Sequence, residues 1–160
     1  MRPLFATTAE RLLGERVTPA SREAAEGGEW PAALWQDIEE SGLTFALVRE
    51  AFGGAEASWN DVFPIAIAAG KYAAPVPLLE TLLVNGLLDQ AGHEPPLGPS
   101  TLSADMLILS DGTVSGQLDN VPFARQADHV LCAVQDGKTV QWALLQRADG
   151  ILTGEGLNIA

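Results

Sequence analysis

Cysteine and histidine are scarce in this chain of 160 residues: there is one cysteine, Cys132, and two histidines, His93 and His129. A lone cysteine forms no disulfide within the chain, which suits a reducing compartment. It sits in the apolar run Val130-Leu131-Cys132-Ala133-Val134, without a basic pattern beside it to lower its pKa, and so reads as a small buried hydrophobe. The two histidines stand far apart, and neither has a Cys, His or acid partner at ligand spacing, so no metal site is expected.

Basic residues are scarce too. Nine Lys and Arg face 21 Asp and Glu, for a net charge of -12. Phosphate neutralisation needs clustered cations, so nucleic acid is excluded as a partner, and an anionic membrane surface would repel the chain. Apolar stretches are broken by Gly, Pro, Asn or Lys before reaching spanning length, and Met1-Arg2-Pro3-Leu4-Phe5 opens no apolar signal segment. A soluble, cytoplasmic protein without a membrane partner is the expectation.

Catalytic signatures are missing as well. There is no Gly-x-Gly-x-x-Gly, and Gly27-Gly28 and Gly53-Gly54 read as turn glycines without the strand and helix that would make them a phosphate cradle. Sequence distance alone leaves a Ser-His-Asp arrangement open. However, no Gly-x-Ser-x-Gly elbow occurs, and Gly112-Thr113-Val114-Ser115-Gly116 places its serine in a strand after a turn. His129, after Asp128, reads as a strand residue with its ring at the surface. Glu39 and Glu40 fall on the water side of a helix. No catalytic residue follows from the pattern.

What is present is a folded chain of 47% hydrophobic and 19% charged residues, enough for one ordinary domain or two small ones. Up to about residue 90 the apolar period is helical. Residues 4–16 form a modest first helix, and Thr18 to Glu29 reads as a polar, Gly-containing connection. Pro31 at N1 opens a helix with Leu34, Trp35 and Ile38 on one face, closed by Gly42 in a left-handed cap. Ser58 and Asp61 make a capping box for a helix carrying Val62, Phe63, Ile65, Ile67 and Ala69. Being apolar almost all round, that helix is expected to be deeply buried, with Pro64 kinking it or marking its true start. Leu78 to Gln90 is another buried helix, closed by Gly92. Trp30, Trp35, Trp59 and Trp142 read as core or interface anchors.

From Pro95-Pro96-Leu97-Gly98-Pro99 the period falls to two. Leu102 to Ser110 and Thr113 onward form a hairpin around Asp111-Gly112, and Asp128 to Gln135 and Lys138 to Gln146 form another around Asp136-Gly137. The fold class is α+β: an all-helical N-terminal domain over 1–94, then an antiparallel, barrel-like β domain over 95–160. The pattern breaks off at Gly154-Glu155-Gly156-Leu157-Asn158-Ile159-Ala160 without a terminal helix, so a fragment or one piece of a larger assembly is expected.

The order Leu34-Trp35…Gly42, Glu50…Gly53-Gly54, Asp61, Gly70, Ala74-Pro75-Val76-Pro77 and Gly92 resembles the N-terminal helical domain of the acyl-CoA dehydrogenases. There a Trp-bearing helix stops at Gly and a Pro-Glu-x-x-Gly-Gly turn follows; Arg49 stands where that proline would. Asp111 to Gly116 and Ala127-Asp128 are similar, more thinly, to the family's middle β domain. The resemblance implies a third, four-helix domain that this chain lacks. It also implies an acyl-CoA substrate and FAD as cofactor: a glutamate base removes the α-proton and a hydride passes from the β-carbon to the flavin. That base belongs to the missing domain, so no catalytic residue is assigned. Asn120-Val121-Pro122 corresponds to the strand against which the flavin lies, which makes these three the candidate cofactor residues. Pro122 replaces a hydroxyl residue there, and the family's flavin-lining loop between Gly92 and Gly116 is replaced by a Pro-rich linker and strand. Two functions follow from the resemblance. One is an FAD-dependent acyl-CoA dehydrogenase with a shortened middle domain. The other is a non-catalytic subunit or scaffold of a heteromeric complex that has lost flavin binding and pairs with a flavin-carrying relative. The expected partners are an acyl-CoA substrate and related subunits in a homo- or hetero-oligomer.

Overall fold

The structure, a computed structural model, describes residues 1–147. The Gly154 to Ala160 stretch, on which the expectation of a broken-off pattern rests, lies outside the described residues. The chain divides into two compact units, Met1–Leu97 and a second from Gly98 onward.

The first unit is helical: α1 Arg2–Arg16, α2 Pro19–Glu26, α3 Ala32–Glu40, α4 Trp59–Tyr72 and α5 Leu78–Gln90, with 3-10 turns at Leu43–Phe45 and Glu50–Phe52. The α2 helix corrects the reading of Thr18 to Glu29 as a connection. Thr18 and Ser21 cap it reciprocally, each side chain accepting the other's backbone N–H at 3.1 and 2.9 Å, and Pro19 pre-sets the first turn. It buries no residue, and apart from Pro19 its apolar side chains are all alanines, so it lacks the large hydrophobes that mark the neighbouring helices. Pro31 is the residue before α3 rather than its first, and Gly42 takes the expected left-handed conformation at φ 73°.

Ser58 and Asp61 form the expected capping box, and the helix runs unbroken past Pro64, whose missing N–H leaves the Asn60 carbonyl without its helical donor. Its expected deep burial is corrected. Val62, Ile65, Ala68 and Ala69 face inward, but Trp59, Phe63 and Ile67, one per helical turn, are 51%, 58% and 52% exposed. The α1 and α4 helices lie parallel. At one end the Arg2 N–H donates to Asp61 at 3.0 Å, and at the other Lys71 and Tyr72 reach Glu10. Leu13, Ile38, Leu43, Ile65 and Leu78 fill the core between the helices. Trp35 is buried there, with Trp30 against it at 5.9 Å between ring centroids.

In the second unit the strands β1 Ser100–Ser110, β2 Thr113–Ser115, β3 His129–Asp136 and β4 Thr139–Gln146 form one sheet in the order β2-β1-β3-β4. The helical-then-β order stands, and both hairpins form. Asp111 and Gly112 turn the first with positive φ at both positions (50° and 76°). In the second, Asp136 pairs with Thr139, so the turn is Gly137-Lys138, one residue later than expected, with the positive φ on Gly137. A parallel pairing of β1 with β3, Ser100 opposite His129 through Ile108 opposite Gln135, joins the two hairpins at the centre. Hairpin periodicity carries no sign of it, because a parallel pair is fixed by the crossover between its strands, here residues 116–128. Leu107, Cys132 and Val134 form the inner face, where burial pushes the Cys132 thiol pKa up. His129 is half-buried with its Nδ1 out of contact with water, so its ring is not the surface group expected. Trp142 is 66% exposed and anchors no core. No helix among the described residues is long and apolar enough to cross a membrane.

The tightest constraint in the helical unit is the turn at Gly53-Gly54. A Cβ on Gly54 would lie 2.0 Å from the Val48 carbonyl oxygen, so only glycine fits. Gly54→Ala should therefore cost about 3 kcal/mol or more, through backbone overlap that no rotamer relieves. Gly70→Ala, where a Cβ meets nothing within 4 Å, should be neutral or gain up to about 1 kcal/mol in the same thermal melts. Equal effects of the two substitutions would refute this assignment.

Candidate functional site

Asn120, Val121 and Pro122 lie in the crossover between β2 and β3, outside any strand; the strand expected there is absent among the described residues. Asn120 and Phe123 carry positive φ, 53° and 51°, so the backbone reverses twice within four residues. Asn120 and Pro122 are exposed and Val121 is half-buried.

Residues on β1 hold this segment down. Thr101, fully buried, donates its hydroxyl to the Pro122 carbonyl at 2.7 Å. Two turns of the pleat further along, the Asp105 carboxylate accepts the Asp119 N–H at 2.7 Å. The Ser103 hydroxyl takes the Asp105 N–H at 3.1 Å, and Gln117 donates to Asp119 at 2.6 Å. At the far end the Asp128 N–H donates to the Pro99 carbonyl at 2.7 Å. Thr101 and Asp105 lie 14 to 21 positions from their partners, so no local pattern in the sequence announces them.

A flavin at this position would need hydroxyl or N–H donors. Pro122 has neither, its carbonyl is engaged by Thr101, and the Asp119 N–H is engaged by Asp105. Pro122 therefore offers a flavin ring no donor, and the neighbouring Asp119 N–H is already engaged.

In the helical unit two charge clusters stand out. Arg49 donates from Nε to Asp89 Oδ1 at 2.6 Å and from its terminal nitrogen to the Asp89 carbonyl, and its guanidinium lies 5.2 Å over the Phe52 ring. The side chain of Asp89 is only 11% exposed, and Asp89 lies in the last turn of α5, so one arginine both caps that helix and pins the turn that begins at Arg49. This explains the arginine at the place where the resemblance expects proline. The second cluster lies on the open α1–α4 seam, where Glu10 accepts from Lys71 Nζ at 2.7 Å and from Tyr72 Oη at 2.8 Å. The Lys71 and Tyr72 hydrogen bonds hold the Glu10 carboxyl below its ordinary range, and Glu10 in turn raises Lys71. Burial pushes the Glu80 carboxyl up, at the start of α5. Among the described residues no three His, Cys, Asp or Glu side chains converge as a metal site. Glu10 and Tyr72 border an open depression lined also by Ala6, Thr7 and Arg11.

The family pattern described as acyl-CoA dehydrogenase, N-terminal domain, matches residues 3–95. Among solved structures, a variant of the Tcur3481–Tcur3483 steroid ACAD is similar at a TM-score of 0.74 and 20% identity, covering 89% of this chain and 46% of that one. The ChsE4–ChsE5 complex from Mycobacterium tuberculosis is similar at 0.69 and 15% identity, with 89% and 46% covered. Butyryl-CoA dehydrogenase from Megasphaera elsdenii follows at 0.64 and 16% identity, with 91% and 48% covered. At these identities the likeness is one of fold, and the chain spans about half the length of the structures it matches. No curated protein sequence matches it.

Two measurements test the charge clusters. Arg49→Ala leaves Asp89 mostly buried without its cation and should cost about 2 kcal/mol, whereas Arg49→Lys, which cannot make the two-pronged contact, should recover only part of the loss. Full recovery by lysine would show that charge alone matters. For Glu10 the folded pKa is lowered, so its stabilisation is present above the ordinary carboxylate range and lost as pH falls through the folded value. The Tm gap between the native protein and Glu10→Gln should therefore exist at neutral pH and close in acid; a gap that stays constant through acid pH contradicts the pairing.

Proposed function

Since residues 3–95 carry its N-terminal domain, the chain belongs to the acyl-CoA dehydrogenase family, and we propose that it works as a subunit of an assembly that oxidises the CH–CH bond beside the thioester carbonyl of an acyl-CoA. The observation that carries this reading is the family match over the helical unit, followed in the same chain by a β unit, in an order shared with solved members across 89% of the residues. The cofactor of such an assembly is FAD, which accepts the hydride. This chain's own contribution is scaffold: the Trp35 helix, the Gly53-Gly54 turn and the Arg49–Asp89 clamp build a rigid helical unit. None of its described residues is assigned as base.

The partner we propose is a related chain. Two of the similar structures bear the names of two-chain assemblies, Tcur3481–Tcur3483 and ChsE4–ChsE5, which supports a hetero-oligomer over a homo-oligomer. A second reading, in which copies of this protein alone hold FAD and act on acyl-CoA, is favoured by the family match but opposed by the geometry around Pro122.

The test is to purify the protein with whatever chain accompanies it and supply acyl-CoA thioesters, straight-chain and ring-bearing, with an artificial electron acceptor. Acceptor reduction that depends on the acyl-CoA and on a second chain supports the proposal. A flavin-loaded assembly that leaves every thioester unoxidised would overturn the reaction, and full activity of this protein alone would overturn the partner.

A further inference from the structure

We propose that the crossover 119–127 is a closed seat, filled by the chain's own hydrogen bonds, so that this β unit holds no flavin and the redox centre of the assembly is carried by a second chain. The inference rests on the acyl-CoA dehydrogenase reading for what the seat would otherwise hold. Its evidence is this chain's own geometry.

Closure is built from both directions. The groups of β1 that bond to the crossover are Thr101 and Asp105, and Ser103 sits between them on the strand. Thr101 and Ser103 are 0% and 6% exposed, so neither hydroxyl faces an open ligand site. Thr101 spends its proton on the Pro122 carbonyl, Asp105 spends its carboxylate on the Asp119 N–H, and Ser103 accepts from Asp105. From the other direction, part of the crossover is already engaged. The Phe123 carbonyl accepts the N–H groups of Gln126 and Ala127, both at 2.9 Å, and Pro122 has no N–H. A flavin ring presents carbonyl oxygens and ring nitrogens that need donors, and at Asp119 and Thr101 it would have to displace existing bonds to find them. The Asp105 bond is exposed, but losing the Thr101 bond would leave a fully buried hydroxyl without its acceptor, which costs more than an exposed contact returns. Reopening the seat takes more than one substitution, because the Pro122 acceptor is a backbone carbonyl that every residue type would keep.

The test has two readouts on the full 160-residue chain. Titrated into FAD, the purified protein should leave flavin fluorescence anisotropy at the value of free FAD, and Pro122→Thr should leave it there too. Hydrogen exchange should show the Asp119 amide protected, and Asp105→Ala should speed its exchange roughly fivefold to tenfold, the equivalent of one ordinary hydrogen bond. Stoichiometric FAD uptake by the native protein, or uptake gained by Pro122→Thr alone, would overturn the proposal. So would an Asp119 amide that exchanges equally fast in both forms. Failure here is distinct from failure of the parent reading. An assembly that oxidises acyl-CoA while this chain binds FAD sinks only the closed seat. An assembly that oxidises no acyl-CoA while the chain ignores FAD sinks only the reaction.

Discussion

The Val48 carbonyl and the α-carbon of Gly54 stand so close that a methyl group cannot come between them, and the helical unit is organised around that approach. It lets the chain double back on itself: the N–H of Glu56 donates to Val48 at 2.8 Å and that of Ala57 to Ala46 at 2.9 Å. This short return delivers α4 from the end of α3 at a fixed place. Arg49, at the mouth of the turn, then ties the return to the last residues of α5 through Asp89. A second close approach, of Gly86 to Leu47, brings α5 against the same segment. Three helices are thus referenced to one short stretch of backbone, while the α1–α4 seam is closed from outside by Glu10, Lys71 and Tyr72. Such an arrangement suits a part whose task is to hold its shape.

The β unit is governed by a different economy, that of polar groups. Its inner face is apolar around Leu107, Cys132 and Val134, and the crossover that closes it is fastened by the few buried hydroxyls and one carboxylate of β1. Backbone that leaves a sheet must find partners for its N–H and carbonyl groups or meet water. Here the Asp119 N–H and the carbonyls of Pro122 and Phe123 take theirs from within the chain, so those groups are not left for a ligand. A family fold persists while the chemistry associated with it can be carried by another chain, because fold and site are separable.

The sequence makes the helical unit legible where caps and periodicity coincide. Ser58 with Asp61, Gly42 and the bounds of α5 are local signals, and each is found in place. The α2 helix escapes because it buries nothing and carries no large hydrophobe, only alanines among polar residues. The exposed Trp59, Phe63 and Ile67 mislead for the opposite reason: apolar content says nothing about which side of a helix meets the core. In the β unit the two hairpins are legible from Asp111-Gly112 and from Gly137, apart from a one-residue slip in the second turn. The parallel β1–β3 pair is not legible, because it is set by a crossover. The candidate residues Asn120, Val121 and Pro122 came from family resemblance. What decides their chemistry, the hydroxyl of Thr101 and the carboxylate of Asp105, lies on another strand and leaves no trace at 120–122.

The helical unit and the fastened crossover support the proposal of a scaffold subunit of an acyl-CoA dehydrogenase assembly. An experimental structure of that assembly with FAD bound tests this most directly, read at one place: the surroundings of Pro122. The account predicts that the Thr101 hydroxyl still donates to the Pro122 carbonyl and that the flavin ring lies against a second chain, out of contact with Asn120, Val121 and Pro122. A flavin seated on those three residues, with Thr101 turned toward it, would contradict it.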